Sequence, residues 1–263
     1  MRSSPVGSLA LRRSGDNILI INSLSTSKIL AAPFLVPTAV ILLLSCGGPS
    51  EPRHFSALID TSGTIPKEVT EKIKASVTES VAKFAANAKQ GDTYTLWWLS
   101  PDDGSPYPAQ HKTFVMGALK PPAYRSRVIA TKNLQKQVEE ALEELPEGVN
   151  QTPLLESICL LASTVATDSV YSLSVWSDLH QESSKWQRVK SKEPETPKET
   201  ASRMLALCGP VATPPQSVTL NVWPGRTGGR DHSLEIFSRD RNAWVEYIDQ
   251  WAPGTSVEVV HLQ

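Results

Sequence analysis

His54-Phe55-Ser56-Ala57-Leu58-Ile59-Asp60-Thr61-Ser62-Gly63-Thr64 decides the fold of this chain. An apolar, strand-like run stops abruptly at a carboxylate. Two hydroxyls follow at alternate positions, Ser62 and Thr64, with Gly63 between them to allow a tight loop. Pro66 then opens a long amphipathic segment, and proline suits the first position of a helix. A strand that delivers oxygen donors into a loop above a helix N-terminus builds a ligand site at the carboxyl edge of an open α/β sheet. One carboxylate and two hydroxyls are hard donors, suited to magnesium, calcium or manganese and not to zinc.

Outward from that loop, the hydrophobic period alternates between strand and helix. His54 to Ile59 is near-continuously apolar in its second half, as a central strand covered on both faces should be, and its terminal Asp60 is expected outside the core. Val69, Ile73, Val77, Val81, Phe84 and Ala88 mark one face of a helix over 66–89, with Lys67, Glu68, Glu71, Lys74 and Glu79 on the solvated side. Tyr94 to Leu99 reads as a second strand. Trp97 and Trp98 face opposite ways on it, which favours packing under helices over a binding platform.

Residues 100–124 read as loop around a possible edge strand at Thr113–Met116, and Leu134, Val138, Ala141, Leu142 and Leu145 predict a helix over 131–145. Thr152-Pro153 precedes a helical pattern through Leu154, Leu155, Ile158, Leu161 and Val165, so Thr152 is by default an N-cap. Val170 to Trp176 is a strand that stops at Ser177-Asp178-Leu179, repeating the opening device. A charged stretch, 184–199, leads to a short helix at Ala201–Leu207. A strand over 218–223, a glycine-rich connection at Gly225–Arg230, a helix over 234–251 and a strand over 257–260 complete the chain. The glycine-rich loop lacks the lysine and hydroxyl pair of a phosphate-binding loop. This alternation predicts a doubly wound α/β fold: a mostly parallel central sheet flanked by helices on both faces, in three layers of the Rossmann type.

Asp60-x-Ser62-x-Thr64 resembles the first motif of the von Willebrand factor A-like domains, Asp-x-Ser-x-Ser, which opens a metal-ion-dependent adhesion site. Thr64 replaces the usual serine and keeps the hydroxyl. In that family a lone threonine in a loop before a helix is the second metal motif, and Thr152 matches it. An aspartate at the end of the fourth strand is the third, and Asp178 matches it, although Leu179 stands where a glycine usually follows. The resemblance runs over Arg53 to Gln263 in element order. It implies a Mg2+ site (or Ca2+ or Mn2+) held by Asp60, Ser62, Thr64, Thr152 and Asp178, directly or through water. It also implies an open coordination position for an acidic residue of a protein partner, and an interaction module without chemical turnover. Octahedral oxygen geometry and exchangeable waters make Mg2+ suited to that task.

Two enzymatic readings compete. Asp60-Thr61-Ser62-Gly63-Thr64-Ile65 also resembles the haloacid dehalogenase phosphatase motif, Asp-x-Asp-Gly-Thr-Leu, with Asp60 as nucleophile. Ser62 then stands where the general acid/base carboxylate belongs and cannot transfer that proton near neutral pH. A serine hydrolase would draw its base from His54, His111, His180, His232 or His261, but no Gly-x-Ser-x-Gly elbow precedes a helix.

The N-terminus speaks for export. Ile29 to Leu44 is almost wholly apolar, follows Lys28, and is too short and proline-interrupted (Pro33, Pro37) for a spanning helix. Leu43-Leu44-Ser45-Cys46 is similar to the lipobox of bacterial lipoproteins, which implies lipidation of Cys46 and a membrane-anchored protein of the cell envelope, periplasmic or extracellular. The expected organisation is a signal peptide over 1–45, a lipid-anchored tether over 46–53 and a von Willebrand factor A-like domain over 54–263. The long polar stretch 1–23 suggests a translation start near Leu24 or Lys28. Processing removes four basic residues (Arg2, Arg12, Arg13, Lys28) and one acidic residue (Asp16) from totals of 26 and 27, leaving a net charge near −4. That charge, with no basic stripe, is not the footprint of a nucleic-acid binder. Cys159 and Cys208 lie in apolar helical patterns, where a bridge and buried free thiols are both open readings.

Overall fold

The computed structural model describes residues 52–262, apart from 63–64, 66, 100–108, 118–122, 147–151, 166–169, 182, 184–185, 187–194, 210, 212 and 224–233. The lipobox with Cys46, Thr64 and the Gly225–Arg230 loop therefore lie outside the described residues.

Strands β1 (Arg53–Ile59), β2 (Thr93–Leu99), β3 (Ala109–Val115), β4 (Val170–Ser177), β5 (Ser217–Val222) and β6 (Ser256–His261) form one sheet in the order β3-β2-β1-β4-β5-β6. Every pairing is parallel except β2 with the edge strand β3. Helices α1 (Lys67–Asn87), α2 (Ala123–Glu143), α3 (Leu154–Thr164), α4 (Pro197–Cys208) and α5 (Leu234–Trp251) fill the connections. This is the doubly wound order 3-2-1-4-5-6, in which the chain reverses direction across the sheet between β1 and β4.

Side-chain alternation along the central strands splits the core in two. Ala57 and Ile59 of β1 point to one face, where Ile73, Val77 and Val81 of α1 and Leu134 and Val138 of α2 cover them. Leu58 points to the other face, which α3, α4 and α5 cover through Leu155, Ile158, Met204, Trp244 and Ile248. Trp97 and Trp98 divide as expected of neighbouring strand residues: Trp97 belongs to the second cluster and stacks on His111, while Trp98 packs against the first.

Several sequence expectations shift. α2 starts at Ala123, eight residues before the predicted 131, because Val128 and Ile129 are exposed and give the first turns no apolar face to read. β3 reaches back to Ala109 because an antiparallel edge strand can leave Gln110, His111, Lys112 and Thr113 to solvent. Arg53, assigned to the tether, is the first residue of β1. Its backbone N–H and guanidinium both donate to the Asp92 carboxylate, which also accepts from Lys89 N at 2.9 Å. Burial alone would raise the Asp92 pKa, but these donors outweigh it and hold the carboxyl below its usual range.

The short helix predicted near 201–207 begins at Pro197. Thr196 and Glu199 close a capping box around its first turn, and Gly209, at φ 70°, ends it with its N–H on Leu205 O. Cys159 of α3 and Cys208 of α4 are joined as a disulfide, with Cα atoms 5.6 Å apart. The open question about these two cysteines is thereby answered for this structure.

Candidate metal-dependent binding site

Parallel pairing of β1 with β4 puts Ile59 opposite Trp176, so the residues just beyond them, Asp60 and Ser177-Asp178, emerge side by side at the carboxyl edge. This is the crevice where open α/β sheets bind their ligands. Asp60 N donates to Trp176 O at 2.8 Å and continues the ladder one step past the strand.

Asp60 is only 1% exposed, which corrects the expectation that it would lie outside the core. Burial follows from the register: the carboxylate projects between two central strands and its oxygens are satisfied there. Oδ1 accepts the Ser62 backbone N–H at 2.8 Å, and Oδ2 accepts the Ser177 hydroxyl at 2.8 Å. Burial and the neighbouring Asp178 carboxylate push the Asp60 pKa up to about 6, against hydrogen bonds from Ser62 and Ser177 that lower it. Two carboxylates from distant parts of the chain thus repel one another at one point of the rim.

Asp178 is buried and closes a turn by accepting from His180 N at 2.9 Å. The residue after it departs from the family pattern in an informative way. Leu179 sits at φ 61°, the left-handed region that glycine would occupy without strain, and is the one non-glycine residue with positive φ among those described. Its side chain is buried, its N–H donates to Ser177 Oγ at 2.9 Å, and its carbonyl accepts from Trp244 Nε1 at 2.9 Å. Burial of the side chain and the bond from α5 hold Leu179 in this left-handed conformation without a glycine.

Ser62 is buried, and so is Thr152 at the head of α3. Pro153 occupies the N-cap position with no side-chain cap bond, so the default reading of Thr152 as N-cap is not what the helix uses. The first turn of α3 is tied instead to the loop beyond Asp178: Leu155 N donates to Gln181 Oε1 at 2.7 Å, and Gln181 Nε2 donates to Glu156 Oε2 at 2.8 Å. Thr61 Oγ1 bonds Leu99 O at 3.2 Å and anchors the first loop to β2. A cleft of about 450 Å³ opens beside this loop, floored by Asp60, Thr61 and Ser62, with Lys74 and Glu143 paired at 3.0 Å among its lining residues.

Sequence reasoning singled out Asp60, Ser62, Thr64, Thr152 and Asp178, of which Thr64 lies outside the described residues, and missed Ser177 and Gln181. Ser177 had a signal, a hydroxyl immediately before a strand-ending carboxylate. Gln181 had none, since its role depends on where α3 lies.

The donors suit a hard divalent cation: they are all oxygens, and two are carboxylates in mutual repulsion. Among the described residues no group of three or more His, Cys, Asp or Glu side chains is placed to hold a metal, so carboxylates alone would not complete a coordination sphere. Hydroxyls and water would have to supply the rest.

The architecture is a doubly wound, three-layered α/β fold with one antiparallel edge strand. No family model matches the chain, and no curated protein is significantly similar to it. Among solved structures it is similar to a von Willebrand factor type A protein from Catenulispora acidiphila at 14% identity and TM-score 0.41, over 81% of this chain and 39% of that one. BatB from Bacteroides thetaiotaomicron is similar at 14% identity and TM-score 0.36, over 80% of this chain and 90% of that one. The pilus adhesin SpaC from Lactobacillus rhamnosus GG is similar at 10% identity and TM-score 0.48, over 80% and 28%. This chain therefore spans well under half the length of two of these structures. The likenesses are distant, and the fold stands on the chain's own strand order and register.

Proposed function

We propose that this protein is an envelope interaction module. It is anchored through a lipidated Cys46 and binds a protein partner through a divalent ion held by Asp60, Ser62, Thr64, Thr152 and Asp178. The observation that carries this reading is the meeting of Asp60 and Asp178 at the β1/β4 crevice, buried and mutually repelling. A bound Mg2+ would relieve that repulsion and offer an open coordination position to an acidic side chain of the partner. Ser62 and Thr152 have the chemistry to ligate it. Asp60, with Oδ1 and Oδ2 already accepting from Ser62 and Ser177, would act on it through water. The same engagement disfavours Asp60 as a phosphoryl-accepting nucleophile and favours the binding reading over the phosphatase one.

The Cys159–Cys208 bridge fits an oxidising compartment, as export requires. No described helix is long and apolar enough to cross a membrane, and the proposed anchor needs none. Pull-down from solubilised membranes with the full chain, in Mg2+ and in EDTA, tests the function. A partner retained in Mg2+ and released by EDTA supports it. Retention indifferent to EDTA refutes the metal-dependent part.

A further inference from the structure

The sheet face shared with α1 is covered unevenly. Its buried apolar residues come from β1, β2 and the neighbourhood of β3, joined by Trp176 and Trp223, while β5 and β6 contribute no strand residue to that cluster. The strand sequences carry the reason. On that face β4 presents Ser172, Ser174 and Trp176, β5 presents Ser217, Thr219 and Asn221, and β6 presents Ser256, Glu258 and Val260. The intervening Tyr171, Leu173, Val175, Val218 and Leu220 fill the opposite core. Parallel strands are ordinarily apolar on both sides because helices cover both. Here three adjacent parallel strands alternate as if one side faced water.

What lies over that side is a groove of about 590 Å³ between α1 and the strands, within the range of small-molecule sites. Register aligns Ser174 with Thr219 and Thr219 with Glu258 in one row across its floor. Ser174 lines the groove and makes no hydrogen bond among the described residues, and its hydroxyl, which is not one of the buried unpartnered atoms, opens onto the groove. Ser76 Oγ accepts from Trp176 Nε1 at 3.0 Å and Ser172 Oγ accepts from Ser217 Oγ at 3.0 Å, so each keeps its own proton for a ligand. Asn221 spends only its amide N–H, on Val175 O at 3.4 Å, and keeps its carbonyl oxygen.

We infer that this groove is a second binding site, for a neutral polyhydroxylated ligand, an oligosaccharide of two or three sugars. Hydroxyls that both donate and accept, with one amide and one carboxylate, match a sugar's alternating donors and acceptors. Among the described residues the cations lining the groove are dispersed: Arg53 donates to Asp92 and Lys83 pairs with Glu79 at the surface, so no cationic cluster selects a phosphate. The site is independent of the metal-dependent crevice.

Maltotriose and N,N′,N″-triacetylchitotriose are the probes, titrated into the folded protein to about 10 mM with amide shifts read by NMR, in EDTA throughout. At least one should give saturable shifts centred on Ser174, Thr219 and Asn221. The double variant Ser174→Val/Thr219→Val keeps strand-favouring side chains and removes two hydroxyls, and should weaken that binding by about tenfold or more. The absence of saturable shifts with both sugars in the wild type overturns the inference, whatever the variant does. So does binding that persists unchanged in a folded double variant.

Discussion

Ser177 Oγ donates to Asp60 Oδ2 at 2.8 Å, joining the ends of two adjacent parallel strands whose residues lie 117 positions apart. The same oxygen accepts from Leu179 N, so one hydroxyl fixes both the first carboxylate and the turn beyond the second. Ser177→Ala leaves a buried carboxylate oxygen and a buried N–H without partners. The expected loss is about 2–4 kcal/mol of folding stability, read by urea denaturation. A loss under about 0.5 kcal/mol would mean that the hydroxyl does not bridge the two ends.

Leu179 sets backbone strain against burial. Leu179→Ala removes a buried side chain, at about 2–5 kcal/mol, and keeps the left-handed conformation. Leu179→Gly removes those atoms and Cβ as well, which relieves the strain. Glycine should therefore be less destabilising than alanine at this position by about 1 kcal/mol, the reverse of their order in ordinary backbone. Paired urea titrations decide it, and alanine proving the milder change would place Leu179 outside the left-handed region.

The Asp60 carboxyl, pushed up to about 6 by burial and by Asp178, binds its proton more tightly folded than unfolded. Its contribution to stability is therefore fully present below its ordinary value of 3.8 and is lost as pH rises through about 6. Asp60→Asn should flatten that part of the pH–stability curve. Mg2+, which competes with the proton, should raise the melting temperature at pH 7.5 and have little effect at pH 5. Thermal scans at both values check the sign.

The Cys159–Cys208 bridge closes a loop of sequence separation 49 and ties the helix that follows Thr152 to α4. Chain entropy gives such a cross-link about 4 kcal/mol. Reduction, or Cys159→Ser with Cys208→Ser, should lower the urea midpoint accordingly. An unchanged midpoint would show the thiols unpaired in the native protein.

Sequence made the layers legible because strands that end in carboxylates and helices with one apolar face carry their own period. Asp60 and Asp178 could be paired from sequence because each stands where an apolar run stops. The burial of Asp60 could not, since it depends on the lateral neighbours that the strand order supplies. The start of α2 was hidden because Val128 and Ile129 face solvent. The polar face of β4, β5 and β6 was visible as alternation in VYSLSVW and SVTLNV, yet its meaning needed the finding that these strands are parallel. The disulfide required knowing that α3 and α4 lie side by side.

Calorimetric titration of Mg2+ at pH 7.5 into the wild-type chain and into Thr152→Val tests the central claim most directly. Thr152 lies in a different element from both carboxylates, and the exchange removes one hydroxyl while keeping its size. Saturable heat in the wild type, abolished or weakened at least about tenfold in a folded Thr152→Val, is the predicted result. Equal heats from the two proteins, or none from the wild type, would contradict a cation held jointly by the first loop, Thr152 and Asp178.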